Sequence, residues 1–286
     1  MQVPAPQVQS KPPARQIPYD PFVAVTHTAP LEVTETASQV PEPTSTAAPV
    51  PTPAWVTRGP DSVEVPILLY HRIGVSPINS RYYVSPDKFE EQMRLLRQWG
   101  YHSISMELLV EAIVYGAPLP PRPIVITFDD GNRDTYDTAF PIMREYGYTG
   151  VLYIIGKYMG APFYMDKTEI LEMVGSGWEI GSHGMTHQDL LLLEEEGQQY
   201  ELRESRRFLK DELGVTILSF SYPYGSMDAG LARSVSDAGY LAAVGTISSP
   251  TIQDADHLFH MRRKEIDGQQ GLDSFSNFLP WQGEED

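Results

Sequence analysis

Cysteine is absent from the 286 residues, so no disulfide braces the fold and the chain suits any redox compartment. No apolar stretch approaches the roughly 18 residues of a membrane span. The N-terminus lacks a charged region followed by an apolar core, so no signal peptide is visible. Basic residues are scarce: 21 Lys and Arg stand against 38 Asp and Glu, a formal charge of −17. That balance argues against nucleic acid as a partner, because phosphate binding wants a basic face. Glycine is nearly missing from the first 60 residues, where Gly59 stands alone, while 13 of the 25 prolines fall there. That region has no clear hydrophobic period and reads as an extended Pro/Thr-rich linker or stalk over 1–60, largely disordered. Residues 61–280 carry the globular part, long enough for one α/β domain with a substantial core, and 281–286 form an acidic tail.

Along the globular part, apolar runs alternate with helical patterns. Val63 to Tyr70 reads as a buried strand. Ser85-Pro86 opens a helix, with Ser as N-cap and Pro at the first helical position, and Gly100 stops it. Further helices are expected over 106–115, 135–146, 167–175, 195–213 and 228–238. Further strands are expected over 123–128, 149–155, 178–181, 217–222, 240–246 and 261–266. Regular strand–helix alternation argues for a parallel β/α architecture, and about seven strands favour a barrel, distorted or incomplete. In such barrels the active site is built from the loops after the strands.

Two short runs fall in those loops. Thr127-Phe128-Asp129-Asp130-Gly131 places adjacent carboxylates at a strand end, and Ser182-His183-Gly184-Met185-Thr186-His187 places two imidazoles four residues apart. Adjacent residues of a regular strand point to opposite faces, so both carboxylates serve one site only where the chain turns, which Gly131 supplies. One carboxylate and two histidines make a facial set of three ligands for a divalent metal, leaving the other carboxylate free to act as a base.

These runs resemble the polysaccharide deacetylases of carbohydrate esterase family 4, the NodB-homology domain, over residues 63–279. Thr149 to Ile155 and Gly177 to Gly181 are similar to the family as well. The resemblance implies a distorted (β/α)7 barrel and removal of acetyl groups from N-acetylglucosamine units of a polysaccharide. It also implies Asp130, His183 and His187 as ligands of one divalent metal, Asp129 as general base, and the backbone N–H of Tyr224 as an oxyanion donor. The metal is expected to be Zn²⁺, with Co²⁺, Ni²⁺ or Mn²⁺ also compatible with such a site. The expected partner is an N-acetylated polysaccharide or oligosaccharide. The expected state is a monomer at the cell surface or outside the cell, its export signal or anchor not present in this chain.

The chain departs from the family in places. Gly184 stands where the second run usually has Ser or Thr, and Ser221 stands where the family has an arginine that holds the base. Phe220 to Gly225 and Leu69 to Ile73 instead resemble a bacterial subgroup that includes poly-N-acetylglucosamine deacetylases. Arg72 and Arg263 are the candidates to replace the missing guanidinium. His260, in Leu258-Phe259-His260, fits a late Leu-x-His pattern and is the candidate general acid, while His71 ends the first strand and could line the cleft. Two alternatives stay open: an O-acetyl esterase of the xylan type, and a catalytically weak carbohydrate-binding module.

Overall fold

The structure, a computed structural model, describes residues 54–246 and 251–283. Most of the expected stalk and the last three residues of the expected acidic tail lie outside the described residues. Seven parallel strands form the continuous path of the main sheet: β1 (Ile67–Tyr70), β2 (Pro123–Phe128), β3 (Val151–Ile154), β4 (Glu179–Ser182), β5 (Ser219–Ser221), β6 (Ala242–Val244) and β7 (Lys264–Glu265), and His102–Ser103 pairs parallel with β2 off that path. Their order is β6-β5-β4-β3-β2-β1-β7. The sheet curls until Met261, just before β7, forms a parallel bridge to Val244 at the end of β6. Among the described residues the seam is closed by a single bridge and no paired ladder, which makes this a distorted (β/α)7 barrel. β1, β2 and β3 are buried at every position, which is why they read as unbroken apolar runs rather than alternating ones.

The helices are α1 (Pro86–Gln98), α2 (Met106–Tyr115), α3 (Phe140–Glu145), α4 (Lys167–Gly175), α5 (Glu195–Gln199), α6 (Ser205–Leu213), α7 (Ala229–Asp237) and α8 (Leu272–Ser276). Their starts follow side-chain chemistry. Ser85, Ser105 and Asp228 each accept a backbone N–H of the first turn, and Asp166 with Glu169 forms a reciprocal capping box. Each such cap satisfies a donor that the helix leaves orphaned.

Two expected helices are not uniform. The 135–146 segment begins as a π turn, Thr135–Ala139, before α3. The 195–213 segment is broken by a second π turn, Tyr200–Glu204, between α5 and α6. Both lie beside the site described next, where such turns concentrate because they re-aim a side chain.

The domain also extends past the expected edges. Val56–Thr57 pairs antiparallel with Pro118–Leu119. Beyond residue 280, the backbone of Trp281 is held from both sides by the Tyr101 hydroxyl, which donates to its carbonyl at 2.9 Å and accepts from its N–H at 3.0 Å. No helix among the described residues is long and apolar enough to cross a membrane.

Candidate active site

The loops after the C-terminal ends of the strands surround a cavity of about 500 Å³. After β2, the Asp129 N–H continues the ladder to the Tyr70 carbonyl at 3.0 Å. The chain then turns through two left-handed residues, Asp130 at φ 74° and Gly131 at φ 79°. That turn lets both carboxylates face the cavity. Aspartate tolerates this conformation better than most side chains, and Gly131 meets Ile154 where a Cβ would be. After β4, His183 remains in register, its N–H on the Ile154 carbonyl at 2.9 Å, and the chain loops to His187 at φ 62°.

Asp130, His183 and His187 each offer a ligand atom, all within 4.8 Å of one another. Both histidine Nε2 atoms lie 3.5 Å from Asp130 Oδ1. His183 Nδ1 sits 2.8 Å from the Ser221 carbonyl, which can only accept, so Nδ1 carries the proton and Nε2 presents a lone pair. Burial pushes the His183 pKa down against the opposing pull of Asp129 and Asp130, which keeps the ring in the neutral form a cation requires. The donor set therefore fits a divalent metal. Asn132, itself buried, donates to Asp130 Oδ2 at 3.4 Å and to the His71 carbonyl at 3.1 Å, steadying the exposed end of the set.

The histidine loop is held from behind. Glu201, on the second π turn and buried, accepts the Met185 N–H at 2.7 Å, the Thr186 N–H at 2.9 Å and the Thr186 hydroxyl. Its Oε2 lies 2.7 Å from where a Cβ on Gly184 would sit, and Gly184 is at φ 79°. Here the departure at Gly184 has a physical reason: the place of a Ser or Thr side chain is taken by the Glu201 carboxylate.

Asp129 is bound by Arg263. The guanidinium donates from Nη1 to Oδ1 at 2.7 Å and from Nη2 to Oδ2 at 2.8 Å. Ser221 Oγ adds a third donor to Oδ2 at 2.9 Å. Arg263 is fully buried and also donates to Thr127 Oγ1 and the Gly245 carbonyl. Burial alone would raise the Asp129 pKa. The Arg263 charge, with His183 and the hydrogen bonds, overcomes it and holds the carboxyl well below the usual carboxylate range. Arg72, the other candidate for this place, is engaged by Asp134 and lies over the Tyr83 ring.

Tyr224 lines the cavity, its ring 4.8 Å from that of His187 and its backbone left-handed at φ 61°. His260 does not line it. It borders a separate hollow with Met227, Leu258 and Phe259, and its Nε2 is buried with no partner among the described residues. His71 takes a place in the cavity instead, within electrostatic reach of Asp129 and Asp130, while burial pushes its pKa down. A faint sequence signal for Arg263 exists: Met261, Arg263 and Glu265 alternate along the last strand pattern, which puts a guanidinium on the inner face. Glu201 had none, since a π turn sets its direction.

A family profile described as polysaccharide deacetylase matches residues 116–243. The chain is similar to the Bacillus subtilis (strain 168) protein YxkH, named for the polysaccharide deacetylases, at 30% identity over 196 residues, 68% of each chain. It is also similar to a poly-β-1,6-N-acetyl-D-glucosamine N-deacetylase of Staphylococcus aureus (strain MSSA476), at 27% identity over 177 residues, covering 55% of this chain and 59% of that one. Among solved structures, the Streptococcus pyogenes deacetylase PplD in complex with acetate superposes with a TM-score of 0.71 at 25% identity, over 76% of this chain and 98% of that one.

Proposed function

The chain belongs to the polysaccharide deacetylase family, and on that premise we propose that it hydrolyses acetamide groups on an N-acetylglucosamine polymer outside the cell, with Asp129 as the base. The observation that carries this reading is the ion pair of Asp129 with Arg263 beside a fitted ligand set. A base without its arginine would suggest a degenerate site, and here the arginine arrives from the residue just before β7.

Asp130, His183 and His187 would hold one divalent cation, Zn²⁺ or a close substitute, which when bound makes hydroxide available near neutral pH and polarises the acetyl carbonyl. Asp129 Oδ2 lies 3.8 Å from His183 Nε2, so it faces the place where a water would attack. Arg263 keeps Asp129 ionised and fixed in orientation, and the same pairing lowers its basicity. Asp129 therefore works by positioning a water and accepting an already acidic proton, not as a strong base. The Tyr224 N–H, turned by the left-handed backbone, is the donor for the developing oxyanion. His71, the residue after β1 and a lining residue of the same cavity, is the candidate proton donor to the leaving amine, the role first expected of His260.

An N-acetylglucosamine polymer as the substrate class is supported by the poly-β-1,6-N-acetyl-D-glucosamine N-deacetylase name of the staphylococcal relative. The test is acetate release from N-acetylglucosamine oligomers, β-1,6 and β-1,4 linked, beside acetylxylan. Release from the amide substrates supports the proposal, and release from acetylxylan alone replaces it with O-acetyl esterase action.

A further inference from the structure

Phe163 has no part in the chemistry above, yet it combines two unfavourable features. It is 79% exposed, and its backbone is left-handed at φ 72°. Exposed apolar side chains are common singly and need no explanation. A bulky residue at positive φ is a genuine outlier, and such strain persists where the surroundings over-determine it, most often at ligand sites.

The surroundings here are the catalytic turn itself. Segment 163–165 runs antiparallel to 131–133: Arg133 N–H donates to the Phe163 carbonyl at 2.9 Å, Asn132 bridges Tyr164, and Met165 N–H donates to the Gly131 carbonyl at 3.0 Å. Met165 is buried beneath, Tyr164 lines the cavity, and Phe163 stands outside it. The backbone that follows the two aspartates thus fixes the main chain that carries an exposed aromatic ring, one residue from the cavity-lining Tyr164.

A cavity of about 500 Å³ is of the size that takes one small ligand, so the neighbours of the reacting unit in a polymer must run over the rim. The C–H face of a pyranose is apolar and uncharged, and an exposed phenyl ring offers it burial without a charge. We propose that Phe163 is a stacking platform for a sugar unit adjacent to the one being deacetylated, so that it sets preference for oligomers over short substrates. This rests on the polymer-deacetylase reading above.

The test compares the wild type with Phe163→Gly and Phe163→Trp on N-acetylglucosamine hexamers and on 4-nitrophenyl acetate, with Tm for each. Glycine removes the ring and relieves the left-handed backbone. The expected result for Phe163→Gly is an equal or higher Tm, ester hydrolysis within about twofold of wild type, and roughly a fivefold to tenfold loss of kcat/KM on the hexamer. Phe163→Trp should stay within about twofold on both. Equal losses on ester and hexamer, or no loss on the hexamer, would overturn the platform. So would an unchanged hexamer rate with lost co-sedimentation on phosphatidylglycerol vesicles, which would make Phe163 a membrane contact. A wild type that cleaves the ester but releases no acetate from any oligomer would instead overturn the underlying reading, and the platform with it.

Discussion

Both terminal nitrogens of Arg263 donate to the two oxygens of Asp129, across 134 positions of sequence, and neither side chain is exposed to any useful degree. A guanidinium matches a carboxylate fork for fork, which a lysine cannot do. In this chain that pairing stands where the family has an arginine two residues before the proline of Ser221-Tyr222-Pro223. Ser221 shares the work, donating its hydroxyl to Asp129 while accepting from Arg263 Nη2 at 2.9 Å.

Breaking the pair should therefore cost both fold and activity. Arg263→Gln leaves a buried carboxylate uncompensated, and the expected destabilisation is about 3–5 kcal/mol. Arg263→Lys should retain the charge but lose orientation, with a fall in kcat of about a hundredfold at a smaller stability cost. Denaturant unfolding and steady-state kinetics separate the two. Near-wild-type kcat in Arg263→Lys would show that orientation by the fork is unimportant.

The histidine loop gives a second expectation. Glu201→Gln keeps the shape but weakens the grip on Met185 and Thr186, and metal affinity should fall about 10- to 100-fold. Gly184→Ser, although it restores a side chain common in the family, must strain a left-handed backbone and displace the Glu201 carboxylate, at about 1–3 kcal/mol. Competition with a chromophoric chelator and thermal unfolding read these effects. A Gly184→Ser protein as stable as wild type would contradict the packing explanation of that glycine.

A third expectation concerns pH. Glu179 opens β4, level through Val151 with Thr127, two residues before Asp129. Its Oε1 is buried with no partner among the described residues, and its Oε2 accepts the Glu107 N–H at 3.2 Å. Burial pushes its pKa up to about 7. A carboxyl raised in the folded state contributes stability that is fully present below its unfolded value and is lost as pH rises through the folded one. The window thus runs from about pH 4.5 to about pH 7. Glu179→Gln should match wild type near pH 4 and exceed it above pH 8 by roughly 1–3 kcal/mol. A difference in Tm that does not change with pH would count against this account. Asp129 has the opposite sign: its lowered value means its contribution disappears only in strong acid, below the usual carboxylate range.

Much of this was legible in the linear chain, for local reasons. β1 and β2 show as unbroken apolar runs because both faces are buried, and α1 shows because Ser85, Pro86 and the spacing of Phe89, Met93 and Leu96 all lie within a few residues. Asp129, Asp130, His183 and His187 were visible because each pair sits in one short run. Arg263 was one of two candidates, and only the closed fold decides between it and Arg72: buried just before β7, its side chain reaches Thr127 and Asp129, while Arg72 is held by Asp134. His260 was expected from a three-residue pattern, and the turn after Asp254 carries it to another hollow. Glu201 was hidden because a π turn inside an apparently regular helix rotates it inward.

The most direct test of the central claim is acetate release from N-acetylglucosamine oligomers by chelated protein, by metal-restored protein and by metal-restored Asp129→Asn. The account predicts release only in metal-restored wild type, with metal still bound by Asp129→Asn, because Asp130, His183 and His187 remain. Release undiminished by the chelator or by Asp129→Asn would contradict it.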